Sequence, residues 1–195
     1  MAAAQPVFYY DLGSPYSYLA AERLQKVLPV MPIWQPILLG GIWKETGGRS
    51  WGITDGREDG MAEVERRAAE YGLMPVRWPG GWPNNTLSAM RAAVFAQQAG
   101  RVVAFSLAAF RQAFAAAKDL SDVDNVLIAA AACELHPNAV MKGIEMRSTK
   151  ERLREATAEA YDRGVRGVPT IAVSDRLFWG DDRLEEAASA IAAGE

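Results

Sequence analysis

The chain has 195 residues, enough for one domain or for one domain with an insertion. Half of the residues are apolar and the net charge is −3 with no basic run, which argues against a protein that binds nucleic acid. No apolar stretch approaches the ~20 residues of a membrane-spanning helix. Residues 1–5 lack the basic region and the long apolar core of a signal peptide, so we expect a cytoplasmic protein. A single Cys and a single His also argue against a zinc site of the usual kind, so we expect no metal.

The first predicted elements are a strand and a helix that meet at a serine. The apolar, aromatic run at residues 7–10 predicts a short strand. Ser14 is a preferred helix N-cap, and Pro15 follows where its missing N–H costs nothing. The serine hydroxyl then lies at the positive end of a helix and at the carboxyl end of a strand, where open α/β sheets bind ligands. Simple helix capping is the alternative, because Ser-Pro begins many helices.

The middle of the chain changes character twice. Residues 31–38 predict a second strand, with two prolines that favour an irregular or edge position. Residues 40–60 are rich in glycine and predict a long functional loop or lid, with a disordered loop as the alternative. From about residue 61 to residue 163 the apolar residues recur at helical spacing.

The end of the chain returns to a strand pattern. Residues 168–179 predict a β-hairpin, and a terminal helix follows from residue 180. Cys133 and His136 lie away from the other motifs and are interpreted as a core residue and a helix-end residue. We therefore predict an α/β protein in which residues 1–38 and 150–195 form one discontinuous domain. The glycine-rich loop and an inserted helical domain would occupy residues 39–149.

Four segments in order carry a family resemblance that covers nearly the whole chain. The chain resembles the kappa-class glutathione transferases and the 2-hydroxychromene-2-carboxylate isomerases of the DsbA-like thioredoxin superfamily. Each segment is weakly specific alone, but their order and spacing are specific together. The resemblance implies a thioredoxin-like fold with an inserted all-helical domain. The matching segments are residues 8–19, 87–91, 164–170 and 178–184.

The resemblance implies a glutathione site with named residues. Ser14 stands where redox relatives carry the first cysteine of Cys-x-x-Cys, so it would donate a hydrogen bond to the glutathione sulfur. The peptide between Val168 and Pro169 would be cis, and the Val168 main chain would pair with glutathione. Asp181 and Asp182, with the free amides of their helix start, would hold the γ-glutamyl ammonium and carboxylate.

Two departures from the family pattern fall in the glycine-rich stretch. The family often has Thr-Gly-Asn-Pro where this chain has Thr-Gly-Gly-Arg at residues 46–49. Arg57 stands where relatives carry a lysine that helps to hold glutathione, and arginine and lysine differ in shape and reach. Another low-molecular-weight thiol therefore remains an alternative cofactor.

We assign four residues to a substrate pocket. Pro15 and Tyr16 directly follow the candidate serine. Trp78 and Trp82 lie in a proline-rich loop and would form a wall for an aromatic substrate, with plain packing as the alternative.

The expected function is a glutathione-dependent isomerase acting on products of aromatic degradation that resemble 2-hydroxychromene-2-carboxylate. A kappa-class-like transferase that conjugates small electrophiles is one alternative, and a non-catalytic thioredoxin-fold binding protein is another. The family resemblance also implies a homodimer.

Overall fold

The computed structural model describes residues 5–194 and contains a four-stranded mixed sheet. Strand β1 pairs with β2 in parallel and with β3 in antiparallel orientation, and β3 pairs with β4 as an antiparallel hairpin. The order across the sheet is β2-β1-β3-β4. This sheet confirms the predicted α/β class. The strands are β1 (Val7–Tyr10), β2 (Ile33–Pro36), β3 (Thr170–Val173) and β4 (Arg176–Trp179).

The described residues also form nine α-helices. No strand lies between residues 61 and 148, as the sequence pattern predicts. No helix in the described range 5–194 combines the length and the apolar character that crossing a membrane requires. The helices are α1 (Pro15–Val27), α2 (Leu39–Thr46), α3 (Arg57–Glu70), α4 (Leu87–Gln98), α5 (Val102–Phe114), α6 (Val123–Ala131), α7 (Pro137–Glu145), α8 (Arg147–Asp162) and α9 (Leu184–Ala192).

Alternation along β1 divides the core between the two faces of the sheet. Phe8 and Tyr10 point to the larger core, where their rings stack with centroids 5.2 Å apart. The Tyr10 ring also lies 5.9 Å from Phe110 of α5. Tyr9 points to the smaller core, which includes Ile42 of α2. The sheet and the helices between β2 and β3 thus share one core, and the boundaries predicted at residues 38 and 150 separate parts that pack together.

The prediction of a long loop at residues 40–60 is wrong in its first and last parts. Helix α2 occupies Leu39–Thr46, and α3 already begins at Arg57. Gly47 ends α2 in the left-handed conformation, with φ of 73°. Gly41 lets α2 approach α8, because a Cβ there would lie 2.8 Å from Thr157 Cγ2. These glycines therefore serve helix termination and close packing rather than a long flexible connection.

Candidate functional site

A cavity of about 850 Å³ opens at the carboxyl end of β1. Five segments of the chain and Arg67 of α3 contribute to its lining. The segments lie within residues 11–16, 38–51, 82–87, 166–169 and 179–182.

The cavity brings together most of the residues that the sequence assigned to a site. Arg57 and Trp78 are not part of the cavity lining within the described chain. The predicted residues that do line it are Ser14, Pro15, Tyr16, Trp82, Val168, Pro169, Asp181 and Asp182.

Ser14 caps α1 and also faces the cavity. Its Oγ accepts a 3.2 Å hydrogen bond from the Ser17 backbone N–H, and only 6% of the residue is exposed. The cap uses the hydroxyl oxygen as an acceptor, so the hydroxyl hydrogen is still available to donate. The capping interpretation and the ligand-binding interpretation of Ser14 are therefore compatible.

Asp11 forms hydrogen bonds within its own segment and to two other segments that line the cavity, a role that the sequence analysis missed. Its Oδ1 accepts hydrogen bonds from Gly13 N at 2.9 Å and Thr86 Oγ1 at 3.0 Å, and its Oδ2 accepts one from Leu39 N at 2.9 Å. Burial raises the pKa of the Asp11 carboxyl, and these hydrogen bonds oppose that shift. The position of a carboxylate directly after the first strand was the available signal.

The peptide between Val168 and Pro169 is cis, as predicted. Within residues 5–194, the Val168 N–H and C=O make no hydrogen bond. The following turn is fixed by hydrogen bonds from Gly180 N to Pro169 O at 3.0 Å and from Thr170 Oγ1 to Gly167 O at 2.8 Å. The chain before β3 thus presents an unpaired backbone edge to the cavity, where an extended ligand could add as a strand.

Asp181 and Asp182 differ sharply in their surroundings. Asp181 is fully buried, and its two carboxylate oxygens accept hydrogen bonds from Arg67 Nη1 at 2.8 Å and Tyr71 OH at 3.0 Å. Burial raises the pKa of Asp181, while the Arg67 charge opposes the shift. The Asp182 side chain is 55% exposed and lies 3.6 Å from Arg67. Asp182 is therefore the carboxylate that is open to a ligand, and Asp181 is held by protein partners.

Gly180 sets the position of Asp182. Its φ of 123° and ψ of 151° lie in a region that is essentially restricted to glycine. A Cβ at this position would lie 2.3 Å from Asp182 Oδ1. Residues 180–182 therefore combine a backbone conformation that requires glycine with the Asp182 carboxylate, which lies next to Gly180.

An aromatic wall lies beside Ser14. The Trp51 ring lies 6.1 Å from Tyr16 and 4.8 Å from Trp82, measured between centroids. Trp82 Nε1 donates to Gly13 O at 3.1 Å, which fixes the wall to the loop before α1. Trp78 packs behind, 4.9 Å from Trp82, and its Nε1 donates to Glu65 Oε1. Trp51, which the sequence analysis left outside the pocket, lines the cavity where Trp78 does not.

Arg57 holds the loops that carry this wall. Its Nη1 donates to the Gly52 carbonyl at 2.9 Å and to the Trp82 carbonyl. The structure thus directs the guanidinium to protein carbonyls.

No group of three or more His, Cys, Asp or Glu side chains that could hold a metal ion occurs within residues 5–194.

A mixed sheet with a serine-capped first helix and a cis-proline edge defines a thioredoxin-type protein without a redox cysteine pair at this position. The family model of the DSBA-like thioredoxin domain matches residues 7–192, so the chain belongs to this family.

Its relatives include an isomerase and a transferase. The 2-hydroxychromene-2-carboxylate isomerase of Sphingobium xenophagum is 30% identical over 188 residues, covering 91% of this chain and 93% of the relative. Glutathione S-transferase kappa 1 of Caenorhabditis elegans is 27% identical, covering 91% of this chain and 86% of the relative.

Solved structures support the same fold. A 2-hydroxychromene-2-carboxylate isomerase aligns with a TM-score of 0.88 at 24% identity, over 97% of this chain and 95% of that one. The cytosolic disulfide reductase DsbM from Pseudomonas aeruginosa, solved with GSH, aligns with a TM-score of 0.65 at 15% identity, over 97% of this chain and 96% of that one.

Proposed function

We propose that this protein is a glutathione-dependent isomerase that acts on aromatic degradation products resembling 2-hydroxychromene-2-carboxylate. The observation that carries the proposal is the Ser14 hydroxyl at the N-terminus of α1, with its donor hydrogen free and the cavity in front of it. The similarity to the isomerase of Sphingobium xenophagum supports the reaction class.

Glutathione would lie across the cavity as an added strand. Its backbone would pair with the unpaired N–H and C=O of Val168, beside Pro169. Its γ-glutamyl ammonium would pair with the exposed Asp182 carboxylate. The buried Asp181, through its hydrogen bond from Arg67, would hold the turn that carries Asp182. Its sulfur would then accept the hydrogen bond from Ser14.

The α1 terminus would favour the thiolate. An ordinary thiol has a pKa of about 8.5, and a helix N-terminus with a hydrogen-bond donor stabilises the charged form. The thiolate would add to the conjugated substrate, allow rotation about the bond that loses double-bond character, and leave with its electron pair. Glutathione is regenerated, and no electron is transferred. Serines occupy both positions of the Cys-x-x-Cys pattern, at Ser14 and Ser17, so this site offers no dithiol exchange.

The substrate would lie against the aromatic wall. Tyr16, Trp51 and Trp82 offer ring surfaces within a cavity large enough for a thiol cofactor and a small aromatic molecule. Pro15 adds an apolar surface directly after Ser14.

A kappa-class-like transferase is the second candidate, favoured by the similarity to Glutathione S-transferase kappa 1. The same thiolate would then form a stable bond to an electrophile, and glutathione would be consumed. By family analogy, we also propose that the protein is a cytoplasmic homodimer. Sedimentation analysis of the purified protein would test the dimer.

Turnover assays separate these functions. Purified protein is given 2-hydroxychromene-2-carboxylate with glutathione, and in parallel 1-chloro-2,4-dinitrobenzene with glutathione. Isomerisation that needs catalytic glutathione supports the proposal, and conjugation alone supports the transferase. Binding of glutathione without either activity indicates a binding protein. A different thiol that replaces glutathione at lower concentration would correct the cofactor.

A further inference from the structure

Three arginines line the cavity, and they differ in what their guanidinium groups contact. Arg67 is paired with Asp181 and with Glu63. Arg166 donates from Nη1 to backbone carbonyls at 2.7 and 3.0 Å and stacks on the Tyr161 ring at 4.2 Å. The Arg49 side chain has no hydrogen bond or ion pair to any part of the chain that the structure describes. Arg49 is therefore an exposed cation at the cavity without a partner among residues 5–194.

Arg49 is exposed and stands two residues before Trp51 of the aromatic wall. Gly48, before it, lets the chain pass close to Trp43, because a Cβ at Gly48 would lie 2.5 Å from Trp43 Cδ1. Ser50, after it, accepts a 3.1 Å hydrogen bond from Gly52 N and begins a short 3-10 turn. Trp43 and Trp51 both line the cavity. The cation is thus flanked by aromatic side chains on both sides in sequence.

We propose that Arg49 binds a carboxylate group of a ligand in this cavity. A guanidinium offers paired N–H donors that match the two oxygens of a carboxylate. Arg57, the other candidate cation of this region, already donates to the carbonyls of Gly52 and Trp82. Asp182 and Arg49 then give the cavity one acidic and one basic anchor on different segments.

The identity of this ligand rests on the proposed function. Two sources of the carboxylate fit that function. One is the C-terminal carboxylate of glutathione, and the other is the carboxylate of an aromatic acid substrate. Both present the same chemistry to a guanidinium, so the experiment has one arm for each source.

The test compares Arg49→Gln with Arg152→Gln. Arg152 lies on α8, is exposed, and has no side-chain partner among residues 5–194, so its substitution makes the same charge change away from the cavity. Calorimetry measures the Kd of glutathione against glutathione monoethyl ester, whose C-terminal carboxylate is blocked. A second arm measures the Kd of salicylate against that of salicylamide, in which an amide replaces the carboxylate.

We expect Arg49→Gln to weaken binding of one of the two acids about tenfold, about 1.4 kcal/mol, and to leave its neutral counterpart unchanged. Arg152→Gln should change none of the four Kd values. Loss of glutathione affinity assigns the carboxylate to the thiol, and loss of salicylate affinity assigns it to the aromatic acid. Unchanged binding of both acids, or no binding of either by the wild type, would overturn the proposal. If the wild type binds salicylate but not glutathione, the proposed function is wrong, and the salicylate arm still tests the role of Arg49.

Discussion

Arg67 Nη1 donates a 2.8 Å hydrogen bond to Asp181 Oδ1 and so joins α3 to the turn after β4, across 114 residues of sequence. Tyr71, one turn further along the same segment, donates to the other carboxylate oxygen at 3.0 Å. Arg23 of α1 donates to the Asp181 carbonyl at 2.8 Å. The turn that presents Asp182 to the cavity is therefore fixed by a buried carboxylate.

Removal of the Arg67 charge should strongly destabilise the fold. Arg67→Met leaves the buried Asp181 carboxylate with Tyr71 as its remaining side-chain donor, and breaking a buried pair in this way costs about 3–5 kcal/mol. Chemical denaturation measures the free energy of unfolding. The control is Arg66→Met, because the pair of Arg66 with Glu70 has side chains 57% and 55% exposed and should lose at most about 1 kcal/mol. Equal, small losses in both variants would contradict the role given to Arg67.

Tyr71 should make the protein sensitive to alkali. Its burial and the nearby Asp181 charge raise the pKa of Tyr71 to about 12, above the ordinary value of 10.0. The folded state then holds the phenolic proton more tightly, so this contribution to stability is complete below about pH 10 and is lost as the pH rises through about 12. Tyr71→Phe removes that contribution. Denaturation curves across this pH range should show a steeper loss for the wild type than for Tyr71→Phe, and parallel curves would contradict the prediction.

The sequence predicted the parts of the site that lie in contiguous motifs. Ser14 could be placed at the start of a helix because the Ser-Pro capping pattern is local. The cis peptide between Val168 and Pro169 was predicted only through the family resemblance. The Arg67–Asp181 pair could not, because it depends on how α3 packs against the turn after β4. Arg57 could be aligned with a family lysine, but its orientation depends on the fold of its neighbouring loops, whose carbonyls it contacts.

The same limit applies to secondary structure. Glycine content alone favoured a loop at residues 40–60, while burial of Ile42 against the smaller core favours a helix there. Tertiary packing outweighs the weak helix propensity of glycine in α2.

Asp182 should matter for ligand binding and little for folding. Asp182→Asn removes a carboxylate that is 55% exposed and would weaken glutathione binding about tenfold, since a charged hydrogen bond contributes about 1.5–3 kcal/mol. Calorimetry with glutathione measures the change. Asp175→Asn, in the exposed hairpin turn, is the matched control with the same change of charge. Unchanged affinity in Asp182→Asn would leave this aspartate with a purely local role at its helix start.

Two glycine substitutions should change stability in opposite directions. Gly180→Ala introduces a Cβ 2.3 Å from Asp182 Oδ1 at a φ of 123°, which costs about 1–3 kcal/mol in backbone strain. Gly40→Ala, within α2, meets no heavy atom within 4 Å and should gain about 0.5–1 kcal/mol of helix stability. Melting temperatures of the two variants check both signs. A stable Gly180→Ala protein would mean that the turn can adopt another backbone conformation.

Ser14→Ala should have two separate effects, because the hydroxyl both accepts and donates. Loss of the bond from Ser17 N should cost about 1 kcal/mol of stability. Loss of the donor to the sulfur should remove about 1.5–3 kcal/mol of thiolate stabilisation, which raises the pKa of bound glutathione by roughly one to two units. The control is Asp122→Ala, which removes the cap of α6, where Asp122 Oδ1 accepts a 3.0 Å bond from Asp124 N.

The most direct measurement is a titration of the thiolate absorbance of bound glutathione in the wild type, Ser14→Ala and Asp122→Ala. We expect a raised thiol pKa in Ser14→Ala alone, while both variants lose comparable stability through their missing caps. A thiol pKa that is the same in all three proteins would contradict the account and leave Ser14 as a helix cap without a role at the sulfur.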